Sequence, residues 1–113
     1  MNADDAVRIV LTTAPDADAA EKLARALVEE RLAACATRLP GATSIYRFEG
    51  AVHRDAEEVL LLKTTAARVD ALQARLLELH PYEVPECLVL PVLGGAAPYL
   101  AWVAAETKPP PAG

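Results

Sequence analysis

An α+β fold is predicted by three features of the 113-residue chain. Two stretches place apolar residues at helical spacing. Short β-branched and apolar runs stand before and after each of them. Proline interrupts two of those runs and spares the others, and a sheet tolerates proline only at its edges.

Val7 to Thr13 (VRIVLTT) reads as the first strand. Asp16 and Asp18 follow, where a helix N-terminus favours negative charge. Ala20, Leu23, Ala24, Leu27, Val28 and Leu32 then form a stripe, with Glu21, Lys22, Arg25, Glu29 and Glu30 mostly opposite. That spacing predicts an amphipathic helix running to Ala34. Cys35 to Gly50 (CATRLPGATSIYRFEG) is strand-like, and Pro40-Gly41 predicts a kinked edge strand. Residues 50 to 55 (GAVHRD) read as the turn, with His53 solvated in it, and Glu57 to Thr65 (EEVLLLKTT) as the third strand. Thr65 is placed to cap a second helix carrying Val69, Leu72, Leu76 and Leu79. His80-Pro81 ends that helix, because the residue before a proline avoids the helical region. Cys87 to Leu93 (CLVLPVL) is the fourth strand, assigned to an edge by Pro91. Gly94-Gly95 turns the chain into a short last helix, Pro98 to Thr107, with Trp102 as its packing anchor. Residues 1–107 are expected to form one domain and 108–113 (KPPPAG) a flexible tail.

The order β-α-β-β-α-β-α begins with the split β-α-β, or ferredoxin-like, pattern. It implies an antiparallel sheet ordered 4-1-3-2 with both longer helices on one side. Cys35 and Cys87 then lie on opposite edges, roughly 14 Å apart at about 4.8 Å per strand, too far to form a disulfide. The central run Val59-Leu60-Leu61-Leu62 is apolar on both faces. Two helices cover one face, and the short last helix hides only part of the other. Self-association through the remaining apolar face is therefore expected.

Composition narrows the function. Hydrophobic residues make up 53% of the chain, enough for one domain core. A net charge of −5 argues against nucleic-acid partners and against anionic membrane surfaces. No apolar run approaches the ~20 residues that span a bilayer. The first residues, MNADDAV, are polar and acidic, unlike a secretion signal, so an intracellular protein is expected. Two cysteines without a CxxC motif suggest neither a disulfide framework nor a zinc finger. No serine or cysteine nucleophile has a base nearby in sequence, and no glycine-rich phosphate loop occurs. The chain is accordingly expected to be no enzyme and to carry no organic cofactor.

Five blocks resemble the CutA family of divalent-cation tolerance proteins: LTTAPD (11–16), LVEERLAACATRLPGATSIYRFEG (27–50), LLLKTT (60–65), ELHPYEVPECLVLPV (78–92) and YLAW (99–102). They span nearly the whole chain in order. The resemblance implies a cytoplasmic homotrimer of ferredoxin-like subunits, in which the hairpin of strands two and three reaches a neighbour. It also implies a part in tolerance to copper and other divalent metals, with weak metal binding at most. The alternative that it raises is a signalling trimer like the PII proteins, holding a small anion or nucleotide between subunits.

Some family members have a cysteine at the end of the first strand and two adjacent histidines before the corner proline, proposed as copper ligands. The matching positions here are Thr12, Leu79 and His80, so His80 alone keeps the ligand type. One imidazole holds copper weakly, so a metal site would also need Cys35, Glu86 or another subunit. The other reading of His80 is a helix-end histidine bonding the last carbonyls. The resemblance further assigns Tyr46, Glu49, Lys63, Tyr82 and Glu83 to the lining of an inter-subunit cleft. Against that stands a structural reading, in which Glu83 and Glu86 pair with arginines across the subunit contact. Cysteines in strands are usually small buried hydrophobes, and Glu29-Glu30-Arg31 reads as a solvated helix face.

Overall fold

The computed structural model describes residues 3–109. Seven main elements follow in order: β1 (Val7–Ala14), α1 (Ala17–Glu29), β2 (Cys35–Phe48), β3 (Ala51–Thr65), α2 (Val69–Leu79), β4 (Leu88–Pro91) and α3 (Ala97–Glu106). The strands form one sheet ordered β2-β3-β1-β4, and every pairing is antiparallel. This is the expected split β-α-β order, with both proline-bearing strands at the edges.

Strand alternation separates the two faces of the sheet. Val10, Ala14, Leu60 and Leu62 point to the helices and pack with Leu23 and Leu27 of α1 and Leu72 and Leu76 of α2. A second, smaller cluster of Val7, Ala34 and Val103, with Leu100 and Val92 against it, lies where α3 covers one end of the opposite face. The rest of that face remains uncovered.

Helix α1 starts as read, with the Asp16 carboxylate accepting from the Ala19 amide at 2.8 Å. It stops at Glu29, well before Ala34. Arg31 takes a left-handed backbone (φ 62°). The Leu32 amide reaches back to the Leu27 carbonyl and the Arg31 amide to the Val28 carbonyl. This is a Schellman end made without glycine. The Arg31 guanidinium donates to the Lys108 carbonyl at 2.9 Å, which ties the end of α3 to the end of α1. Glu30 is bridged by Arg75 of α2, so this run joins elements and is more than a solvated face. Of the expected tail, Lys108 is held in this way, and residues 110–113 lie outside the described residues.

The hairpin departs most from expectation. AVHRD, Ala51 to Asp55, is strand, and the turn is two residues, Glu49 (φ 50°) and Gly50 (φ 80°). Two left-handed residues in succession make the tight turn whose twist suits a hairpin. His53 accordingly lies in β3, opposite Tyr46 and stacked on it, and not in a turn. The kink expected at Pro40-Gly41 is present as a register break between Leu39 and Ala42, with Gly41 at φ 78°. Beyond it the hairpin projects as an arm. The radius of gyration is 14.9 Å, against about 13 Å for a compact chain of this length.

Two smaller expectations are corrected. Thr65 makes no capping bond and is followed by a 3-10 turn, Ala66–Arg68; its hydroxyl faces Thr107 instead. Trp102 is 42% exposed and packs on Tyr99 at the outer surface of α3, while Val103 and Leu100 anchor the helix. The helix turns away from the core the face that carries Tyr99 and Trp102.

Candidate functional site

The corner after α2 is fastened to the end of β1 at two points. The Thr12 hydroxyl donates to the Glu86 carbonyl at 2.6 Å. His80 is buried, and the Tyr82 amide donates to its Nδ1 at 3.1 Å. Nδ1 is therefore the acceptor nitrogen, and Nε2 carries the hydrogen that it donates to the Thr13 carbonyl at 2.6 Å. Two backbone groups occupy both ring nitrogens. The last carbonyls of α2 are not among the ring's partners; the His80 amide, not its side chain, bonds the Leu76 carbonyl.

Beside this corner lies a string of phenols and acids. The Tyr82 hydroxyl donates to Glu57 Oε2 at 2.7 Å, and the Tyr46 hydroxyl donates to Asp55. Asp55 and Glu57 are two apart on β3 and share a face, which carries them towards both tyrosines. Burial, followed by the bond to Glu57, raises Tyr82 above the ordinary phenol value. Its bond to Asp55 is the main reason that Tyr46 is raised.

The sign of the pH dependence follows. A phenol that keeps its proton more tightly in the fold stabilises the protein below the unfolded value. That contribution is lost as pH rises above about 10. Tyr82→Phe is expected to flatten the fall of melting temperature between about pH 9 and pH 11. Thermal melts of both proteins across that range check it, and parallel curves would refute it.

A third group lies on the uncovered face. Cys35 of β2 sits directly across from Lys63 of β3. Lys63 Nζ donates to the Thr37 hydroxyl at 2.6 Å and lies 3.9 Å from Cys35 Sγ. Among the described residues no carboxylate pairs with Lys63.

Within one chain, then, the expected residues fall into separate places. Tyr46 and Tyr82 come together through Asp55 and Glu57, and His80 packs against the Tyr82 ring, centroid to centroid 4.8 Å. Glu49 sits at the tip of the arm, and Lys63 lies roughly 40 Å further along β3 at about 3.3 Å per residue. Glu83 and Glu86 are exposed and make no ion pair within the described chain. His80, Cys35 and Glu86 do not gather: among the described residues no three or more His, Cys, Asp or Glu are placed to hold a metal ion. This donor set does not fit a copper seat inside one subunit, because its one imidazole has no free nitrogen.

Asp55, Glu57 and the bonding role of Thr12 escaped the reading of the sequence. Reading AVHRDAEEV as a strand would have put Asp55 and Glu57 on one face with His53. The bond from Thr12 to the far side of the corner has no sequence signal. A bidentate pair, Arg38 to Glu58 at 2.8 and 3.3 Å, was also unforeseen. It lies on the helix side, and Glu21 joins it.

These features define a class: a split β-α-β protein with a projecting arm, an uncovered apolar sheet face and a stiffened, acidic corner. Residues 8–106 match the family model for the CutA1 divalent ion tolerance protein. The divalent-cation tolerance protein CutA of Pectobacterium atrosepticum is 47% identical over 104 residues, covering 92% of this chain and 94% of that one. The solved Cut A1 of Thermus thermophilus superposes with a TM-score of 0.88 at 47% identity, covering 90% of this chain and 99% of that one. CutA1 of Oryza sativa gives 0.90 at 38% identity, covering 95% and 98%. The chain belongs to the CutA1 divalent ion tolerance family.

Proposed function

We propose that this protein acts as a homotrimer in tolerance to divalent cations, binding metal weakly and carrying out no catalysis. The observation that carries the reading is the open sheet face. Leu39 (46% exposed), Leu88 (56%) and Leu90 (39%) lie there beside half-buried Ile9, Leu11, Val59 and Leu61. Strand parity puts all of them on the side that α1 and α2 do not cover. Contiguous exposed apolar surface of this kind marks an interaction site, and sister copies of the chain are the partner that we assign to it. The two cysteines are free, which suits a reducing compartment, and we place the protein in the cytoplasm. No helix among the described residues is long and apolar enough to cross a membrane.

The reading is tested by light scattering at micromolar concentration. Wild-type protein is expected at three times the chain mass and Leu61→Glu at the mass of one chain. A wild-type protein that scatters as a single chain would refute it. Isothermal titration with copper and zinc should show weak binding; nanomolar affinity would refute that part of the reading.

One observation favours a second reading. Among the described residues no carboxylate pairs with Lys63, which lies at the margin of the face that assembly would bury. Burying such a charge is costly without an anion. A small anion or nucleotide between subunits would supply one. Titration with inorganic phosphate and with nucleotides, repeated on Lys63→Ala, separates the two readings.

A further inference from the structure

The two cysteines stand in different surroundings. Cys87 packs against the helix-covered core, and burial pushes its thiol up from the ordinary value. Cys35 is half-buried on the opposite edge strand, with Lys63 Nζ 3.9 Å from its sulfur. Thr37 Oγ1 accepts from the same ammonium at 2.6 Å and lies 4.0 Å from the same sulfur. The three side chains thus form a compact thiol–hydroxyl–amine group across adjacent strands.

We propose that Cys35 and Lys63 are a peroxide-responsive pair, in which the oxidised thiol is captured by the lysine amine as an S–N crosslink between β2 and β3. Thiolate is the reactive form of cysteine, and reactive thiols sit at electropositive, partly exposed positions. A sulfenic acid, once formed, condenses with a nearby thiol or nitrogen nucleophile. Cys87 lies at the other edge of the sheet, so no second thiol is within reach in the chain. The Lys63 nitrogen is the nucleophile at hand. Residues directly opposite across strands have Cβ atoms about 5 Å apart, and the lysine stem spans that gap without backbone movement once Nζ leaves Thr37.

The chemistry balances with hydrogen peroxide as the oxidant. The Cys35 thiolate attacks one peroxide oxygen; the S–O bond forms, the O–O bond breaks, and the departing hydroxide takes a proton and leaves as water. Sulfur loses two electrons, and peroxide gains them. Lys63 then releases its ammonium proton to solvent, and its lone pair attacks sulfur. The S–N bond forms, the S–O bond breaks, and the hydroxyl leaves as water with a proton from nitrogen. A thiol reductant reverses the link. The outcome at the sheet is a neutral crosslink in place of an ammonium.

The test uses the reduced full chain, treated with hydrogen peroxide and followed by intact mass and non-reducing peptide mapping. The expected product is about 2 Da lighter, joins the peptide containing residue 35 to that containing residue 63, and reverts with dithiothreitol. Lys63→Gln should instead accumulate oxygen on Cys35, and Cys35→Ser should lose the mass change. The proposal is overturned if wild-type Cys35 resists peroxide, takes up oxygen while Lys63 stays unlinked, or forms a disulfide between chains. The deciding reading is made on the wild-type chain, so it survives a variant that fails to fold.

Discussion

Leu62→Ala is expected to destabilise the protein by about 2–5 kcal/mol, the range for large-to-small changes at well-packed core sites. Leu62 is fully buried on β3, paired with Val10 of β1 and Ala36 of β2. It faces the layer formed by Leu23, Leu27, Leu72 and Leu76. Truncation removes its transfer free energy and leaves a void, and the surrounding helices can close on it only in part. Denaturant unfolding at fixed protein concentration measures the effect, since assembly would make the midpoint depend on concentration. A loss below about 1 kcal/mol would mean that the two helices do not pack on β3 as described.

His80→Ala is expected to cost about 2–4 kcal/mol, combining a cavity with two backbone groups left without partners. The Thr13 carbonyl loses its donor and the Tyr82 amide its acceptor, at a side chain only 7% exposed. The corner should loosen, since only the Thr12–Glu86 bond then fastens it to β1. Copper affinity is expected to stay within about twofold of wild type, because neither ring nitrogen is free. A tenfold loss of affinity in a variant that still folds, about 1.4 kcal/mol, would restore a metal role to His80.

These two residues illustrate how unevenly the chain could be read. Leu62 announced itself, closing the apolar run Val59-Leu60-Leu61-Leu62. His80 was legible as the end of a helix, because Pro81 follows it. Its bonding was not, since Thr13 lies 67 residues away and contributes only a backbone carbonyl. The end of α1 was misplaced for a related reason. Nothing marks Arg31 as a left-handed residue, and glycine, the usual sign of such an end, is absent there. The arm was half missed because a strand exposed on both faces needs no alternation of apolar and polar residues, so AVHRD looked like a turn. The residues assigned to an inter-subunit cleft were identified one by one, and a single chain spreads them from the tip of the arm to the far end of β3.

Two kinds of information are separable in this molecule. Helical spacing, the proline positions and the two-sided apolar run at Val59 to Leu62 follow from local chemistry, and they were enough to specify strand order, helix side and an uncovered face. Which polar groups meet depended on closing the sheet. Thr12 and His80 reach the corner, Tyr46 and Tyr82 reach the acids of β3, and Lys63 reaches Cys35 through hydrogen bonds or contacts between distant segments, which no local pattern encodes.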